Sequence, residues 1–116
     1  MEKKNVIKEK SFSFAIEIVL LYKTLAERKE FVLSRQMLRS GTSIGANIRE
    51  AEHAQSKADF ISKLSIALKE ANETEYWLDL LHVTNYISQT EFESIKPKII
   101  ELLKLLISII NTSKNK

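Results

Sequence analysis

Apolar side chains recur along this chain at intervals of three and four residues, the period of amphipathic helices, and four segments carry the pattern. The first spans roughly 11–27, where Phe14, Ile18, Leu21, Tyr22 and Leu25 share a face. Lys8 and Lys10 precede it in what reads as a polar lead-in. The second spans roughly 31–54. Its middle, Ser40-Gly41-Thr42-Ser43-Ile44-Gly45-Ala46-Asn47, has the composition of a loop. Phase argues otherwise, because Leu33, Met37, Gly41, Ile44, Ile48 and Ala51 fall within about 80° of one another at 100° per residue. One continuous helix, thinned by its glycines so that a neighbour can approach closely, fits this register. A break at Gly41 is the alternative. Each glycine costs about 1 kcal/mol of helix propensity against alanine, which close packing would have to offset.

The third segment spans roughly 57–85, with Phe60, Leu64, Ala67, Ala71, Leu78 and Leu81 on one face and Ile66, Tyr76, Trp77, Leu80 and Val83 beside it. Ser56 and Asp59 form a plausible capping pair at its start. The fourth spans roughly 89–112. Ser88-Gln89-Thr90-Glu91 has the form of a capping box, flanked by Ile87 and Phe92 at the staple positions. Phe92, Ile95, Ile99, Leu102, Leu106 and Ile109 then make a heptad seam, with Ile100, Leu103, Ile107 and Ile110 in a second apolar line. Pro97 lies inside and is expected to kink the helix, since it removes a backbone donor.

Four such helices with short connections predict an all-α, antiparallel up-down-up-down four-helix bundle over 1–116 as a single domain. The second apolar line on the fourth helix and the aromatic cluster on the third exceed what one seam requires. Two explanations stand: homo-oligomerisation, or a broad core face within a monomer.

Composition narrows the function classes. Two Gly and one Pro in 116 residues leave little for β-hairpins or flexible linkers, and 44% apolar residues argue against low-complexity disorder. With no Cys there are no disulfides, thiolate zinc sites or thiol nucleophiles. The first ten residues are mostly charged and do not read as a signal peptide. The densest apolar stretch, 99–110, holds Glu101 and Lys104 and is too short to span a bilayer, so a cytoplasmic protein without a membrane partner is expected.

The net charge of +3 is modest but unevenly placed. Residues 28–49 carry five Arg or Lys against one Glu, whereas residues 50–95 carry three Lys against nine Asp or Glu. On the second helix, Arg35, Arg39 and Arg49 form a stripe about 21 Å long, opposite the apolar face. With Lys57 they are candidate nucleic-acid contacts, since arginines along an outward face can meet successive phosphates and an oligomer would multiply them. The competing reading pairs them with Glu50, Glu70 and Glu73.

Chemistry is otherwise sparse. Glu50-x-x-His53 and Asp79-x-x-His82 have the form used in di-iron bundles, with Glu17 and Glu101 as conceivable extra carboxylates. About 25 helical residues at 1.5 Å each separate the two histidines, too far for one metal centre. Gly41-x-x-x-Gly45 lacks the Lys-Ser/Thr of a phosphate loop, and Ser40 and Ser43 have no activating His on their face. Glu70, Glu73 and Glu75 could form an acid–base group but suit a solvated or ion-paired face. No catalytic residue, metal, cofactor or small-molecule substrate is expected.

The stretch Gln36-Met37-Leu38-Arg39-Ser40-Gly41-Thr42-Ser43-Ile44-Gly45-Ala46-Asn47-Ile48-Arg49-Glu50-Ala51 resembles the central signature of the bacterial 23S rRNA intervening-sequence proteins. Residues 56–78, from Ser56-Lys57-Ala58-Asp59-Phe60 to Tyr76-Trp77-Leu78, resemble the second hallmark of that family. The resemblance implies a four-helix bundle that assembles as a ring-like homopentamer, with no established catalytic residues. It extends to accessory proteins of diversity-generating retroelements, which engage reverse transcriptase and nucleic acid through a basic pentameric barrel. It thus implies self-association, with RNA or a reverse transcriptase-like ribonucleoprotein as partner. Arg39, Gly41, Ser43, Gly45, Asn47 and Glu50 match the central motif, where the polar line beside the thinned face would serve buried hydrogen bonding.

Overall fold

The computed structural model describes residues 2–115, with side chains from Val6 onward, and among the described residues helices are the only regular elements. They are α1 (Glu2–Glu27), α2 (Leu33–Ala51), α3 (Lys57–Val83) and α4 (Gln89–Lys114). Each packs on its neighbours in sequence, and α1 closes against α4. The result is an up-down-up-down bundle of 46 × 21 × 19 Å.

The largest departure from expectation is the start of α1 at Glu2, nine residues before Ser11. The lead-in is helical because Ile7 continues the apolar register one turn above Ser11 and is buried. Two of its lysines are anchored as well, Lys8 on Glu52 at 3.3 Å and Lys10 on Glu101 at 3.2 Å. The α2 helix is unbroken through Gly41 and Gly45, as its phase required. It ends at Ala51 rather than near Ala54, and α3 ends at Val83 rather than Asn85. The α4 helix runs through Pro97 without interruption. Pro97 is exposed, so the carbonyl it leaves without a partner, that of Glu93, faces water.

The ends of the helices are held by side chains that the periodicity does not reveal. After α1, the Glu30 amide bonds the Leu25 carbonyl and the Lys29 amide bonds that of Ala26, both at 2.9 Å, with Lys29 at φ 65°. Tyr86 and Asn85 repeat this pattern on Leu81 and His82 after α3, with Asn85 at φ 68°. Both are Schellman closures. The chain therefore makes two sharp turns without glycine, using a lysine and an asparagine in the left-handed region.

Glu30 then caps α2. Its buried carboxylate accepts from the amides of Val32 (3.1 Å), Leu33 (3.0 Å) and Ser34 (2.6 Å), while the Ser34 hydroxyl donates back to the Glu30 carbonyl at 2.8 Å. Burial pushes the Glu30 carboxyl up, but these donors outweigh it and hold it below the usual range. Ser56 accepts from the Asp59 amide at 3.0 Å, whereas the shorter Asp59 carboxylate reaches Gln55 rather than the cap itself. At α4 the full capping box forms between Ser88 and Glu91.

Phe14, Ile18, Met37, Ile44, Leu78, Leu81, Ile99, Leu102 and Leu106 fill the core. The glycines of α2 face α1. A β-carbon on Gly41 would stand 2.9 Å from both Cγ1 and Cγ2 of Ile18, and one on Gly45 3.5 Å from Ser11. Between α2 and α3 the core carries a cross-helix polar contact, Thr74 Oγ1 donating to Ser40 Oγ at 2.8 Å, both residues fully buried. That pair lies between the arginine-bearing helix and the acidic one.

Candidate nucleic-acid interface

The outer face of α2 is fixed by what its inner face must do. With Met37, Gly41, Ile44 and Ile48 turned to the core, Arg35, Arg39 and Arg49 are exposed on the opposite side. The three differ in their surroundings.

Arg39 lies against α3. Its guanidinium donates to Glu70 Oε2 at 3.1 Å and to Glu73, whose Oε2 also accepts from Trp77 Nε1 at 3.0 Å. The Trp77 bond first, then Arg39, holds the Glu73 carboxyl below its ordinary range, and Arg39 is raised in turn. Arg39 is therefore already neutralised. The ion pair that the charge distribution offered as the alternative forms here, between helices.

Arg35, by contrast, stands in the first turn of α2 with no carboxylate partner among the described residues. Arg49, fourteen residues and about 21 Å further along, places its guanidinium 5.6 Å from the centroid of the Phe12 ring on α1. Lys57 is exposed and opens α3, on the same pole as Arg49. The candidate residues thus divide between two poles, Arg49 with Lys57 at one and Arg35 alone at the other, with the neutralised Arg39 between them.

Beside Arg49 a groove of about 750 Å³ opens between α1, α2 and the start of α3. Its lining includes Lys8, Phe12, Gly45, Arg49, His53 and Lys63. Gly45 and Ala46 leave little side chain on its α2 wall, beside the exposed ring of Phe12. Two of its cations are shared, Lys8 with Glu52 and Lys63 with Glu50 at 3.1 Å. Phe12 and this groove were not read from the sequence. The signal available was that Phe12 falls out of phase with Phe14 and Ile18.

The family-motif residues resolve into separate tasks. Ser43 donates to the Arg39 carbonyl at 2.6 Å and Asn47 donates to the Ser43 carbonyl at 2.9 Å. This polar line thus bonds to its own helix, and the cross-helix bond falls to Ser40 and Thr74 instead. Glu50 pairs with Lys63, while Gly41 and Gly45 set the approach of α1. The histidines lie at opposite ends of α3. His53 sits in the turn before it, and His82, in its last turn, stacks on Phe92 at 4.0 Å with a 2.8 Å bond to Gln89. Of the acidic trio, Glu75 pairs with Lys96 at 3.0 Å. No group of three or more potential metal ligands occurs among the described residues, and no described helix is long and apolar enough to cross a membrane.

No curated protein matches the chain. Among solved structures, the crystal structure of a protein of unknown function from the S23 ribosomal protein family of Bacteroides thetaiotaomicron is similar at 67% identity and a TM-score of 0.92. The similarity covers 94% of this chain and 98% of that one. Matched over residues 3–108, in a bundle whose glycine-thinned α2 carries the central signature, the chain belongs to the 23S rRNA-intervening sequence protein family.

Proposed function

We propose that the protein is a non-enzymatic cytoplasmic homo-oligomer, a five-membered ring, that holds RNA or a reverse transcriptase-like ribonucleoprotein on the outer face of α2. One observation carries this reading: Arg35 and Arg49 stay exposed and free of carboxylates while Arg39 between them is neutralised. A single copy offers few phosphate contacts. A ring repeats them, and both the salt-dependent affinity and the avidity grow with the number engaged.

The test is light scattering and fluorescence anisotropy with a structured RNA at several salt concentrations. A particle of about five chains that gains mass with RNA at low salt supports the proposal. Arg35→Glu with Arg49→Glu should weaken binding and flatten its dependence on salt. A particle indifferent to RNA at low salt refutes the nucleic-acid role. It would favour an adaptor with a protein partner, for which the exposed Phe31, Val32, Val83 and Tyr86 at the Arg35 pole supply an apolar surface.

A further inference from the structure

The outer face of α1 is unusual for a helix at the corner of a bundle. Phe12, Ile16, Val19 and Leu20 occupy successive turns and are 56, 48, 37 and 55% exposed. Phe12 alone leaves about 100 Å² of ring in water. The four together reach roughly 300 Å², the scale at which an apolar patch marks a contact surface. The charges that could screen this stripe are used elsewhere, in the pairs Lys10–Glu101 and Lys98–Glu17 (2.7 Å) that close α1 against α4. A second, smaller line stands on the outer side of α4: exposed Ile107, half-buried Ile100 and exposed Lys104 between them.

We infer that these two lines meet between copies: α1 of one protomer packs, antiparallel, on α4 of the next. This rests on the self-assembly proposed above and names its contact. Symmetry supports the pairing. A ring needs two different patches whose outward directions diverge by about the interior angle of the polygon, about 108° for five members. Helices at adjacent corners of a bundle point outward roughly 90° apart, whereas opposite corners point roughly 180° apart and would build an open fibre. The α1 and α4 helices are adjacent.

Register supports it too. Phe12 and Val19 are seven residues apart, as are Ile100 and Ile107, so both pairs span about 10.5 Å. Upright copies run α1 and α4 in opposite directions, which sets Phe12 against Ile107 and Val19 against Ile100. Ile16 then lies on the aliphatic stem of Lys104. The same register brings Lys23, unpaired in the single chain, within about one turn of Glu93. The α1–α4 side would face the ring axis, with Arg49 at the edge of the contact beside Phe12 and Arg35 on the outer wall.

The experiment compares the mass of the full chain, Ile16→Lys, Ile107→Lys and an equimolar mixture of the two variants, at about 100 µM chain so that a contact without ring avidity is populated. Tyr76→Lys, on the outer face of α3, serves as control. The expected results are an assembly for the full chain and the control, and single chains of 13.4 kDa for each lysine variant. The mixture should give particles of two chains, because each variant supplies the patch that the other lacks. A full chain that is itself monomeric overturns the assembly reading and this contact with it. An assembly that survives both substitutions overturns the contact alone, as does a mixture that stays monomeric. Should a lysine variant lose its helical circular dichroism, Val19→Ser and Lys104→Glu probe the same two faces with milder changes.

Discussion

Replacing Gly41 by alanine tests the claim that α2 is thinned to admit α1. In an ordinary helix interior the change gains about 1 kcal/mol. Here the new β-carbon would stand 2.9 Å from both Cγ1 and Cγ2 of Ile18 and 3.2 Å from its Cδ1. Ile18 is fully buried and β-branched, so turning χ1 moves one γ-carbon away while bringing the other into place. Relief must come from separating the helices. Overpacking of this kind costs about 1–3 kcal/mol. Since the propensity gain is already included in what is observed, Gly41→Ala should destabilise by about 1 kcal/mol, and by up to about 2.

Gly45 supplies the control within the same helix. Its added β-carbon would sit 3.5 Å from Ser11, an ordinary contact, so Gly45→Ala should keep most of the propensity gain and stabilise by about 0.5–1 kcal/mol. Urea unfolding at one fixed chain concentration, needed because assembly would shift apparent stability, reads both. Ile18→Ala removes the opposing γ-carbons, and in that background Gly41→Ala should turn stabilising. The coupling in the double-mutant cycle then isolates the contact. If Gly41→Ala and Gly45→Ala shift the midpoint equally, or if the cycle shows no coupling, the glycine is not there to admit Ile18.

Two further predictions concern the turns. Glu30→Gln keeps the size of the α2 cap but replaces a three-amide carboxylate acceptor with a neutral group that must aim a donor at one of those amides. It should cost about 2 kcal/mol, read in the same urea assay, with no loss for Glu27→Gln. In the other turn, the bidentate bond from Arg28 (2.8 Å to each oxygen), ahead of the Ser88 amide, holds the Glu91 carboxyl at about 2. Its folded value lies below the unfolded one, so its stabilisation is complete above about pH 4.5 and is lost as pH falls toward 2. Partial exposure trims this to about 1–2 kcal/mol. Glu91→Gln should therefore be less stable at pH 7 and indistinguishable from the parent near pH 2, and a constant difference across that window would exclude the assignment.

Helix number, register and most boundaries were legible because burial imposes a 3.6-residue period wherever a helix lies on a core. Met37, Gly41, Ile44 and Ile48 kept that period through a stretch composed like a loop, and all four are buried. The start of α1 was missed for the complementary reason. A lysine- and glutamate-rich turn has good helix propensity but little periodicity, and only Ile7 betrays its inward face. The turns were hidden for a different reason again. Glu30, Lys29 and Asn85 act through backbone geometry and a carboxylate aimed back along the chain, which no apolar pattern encodes.

The candidate site was legible as a stripe but not as a set of charges. Helical phase places Arg35, Arg39 and Arg49 on one outer face, and it says nothing of what α3 presents beside them. Glu70 and Glu73 reach only the middle arginine, in the same packing that brings Thr74 onto Ser40 in the core. Phase also showed that α3 and α4 carry more apolar residues than one seam needs. Only the packing reveals a surplus on α1 as well, from Phe12 to Leu20, as one continuous outer line next to a groove lined by Gly45 and Ala46. The same scarcity of side-chain bulk on α2 therefore serves two surfaces: inward it lets Ile18 close the core, and outward it leaves Phe12 standing beside Arg49.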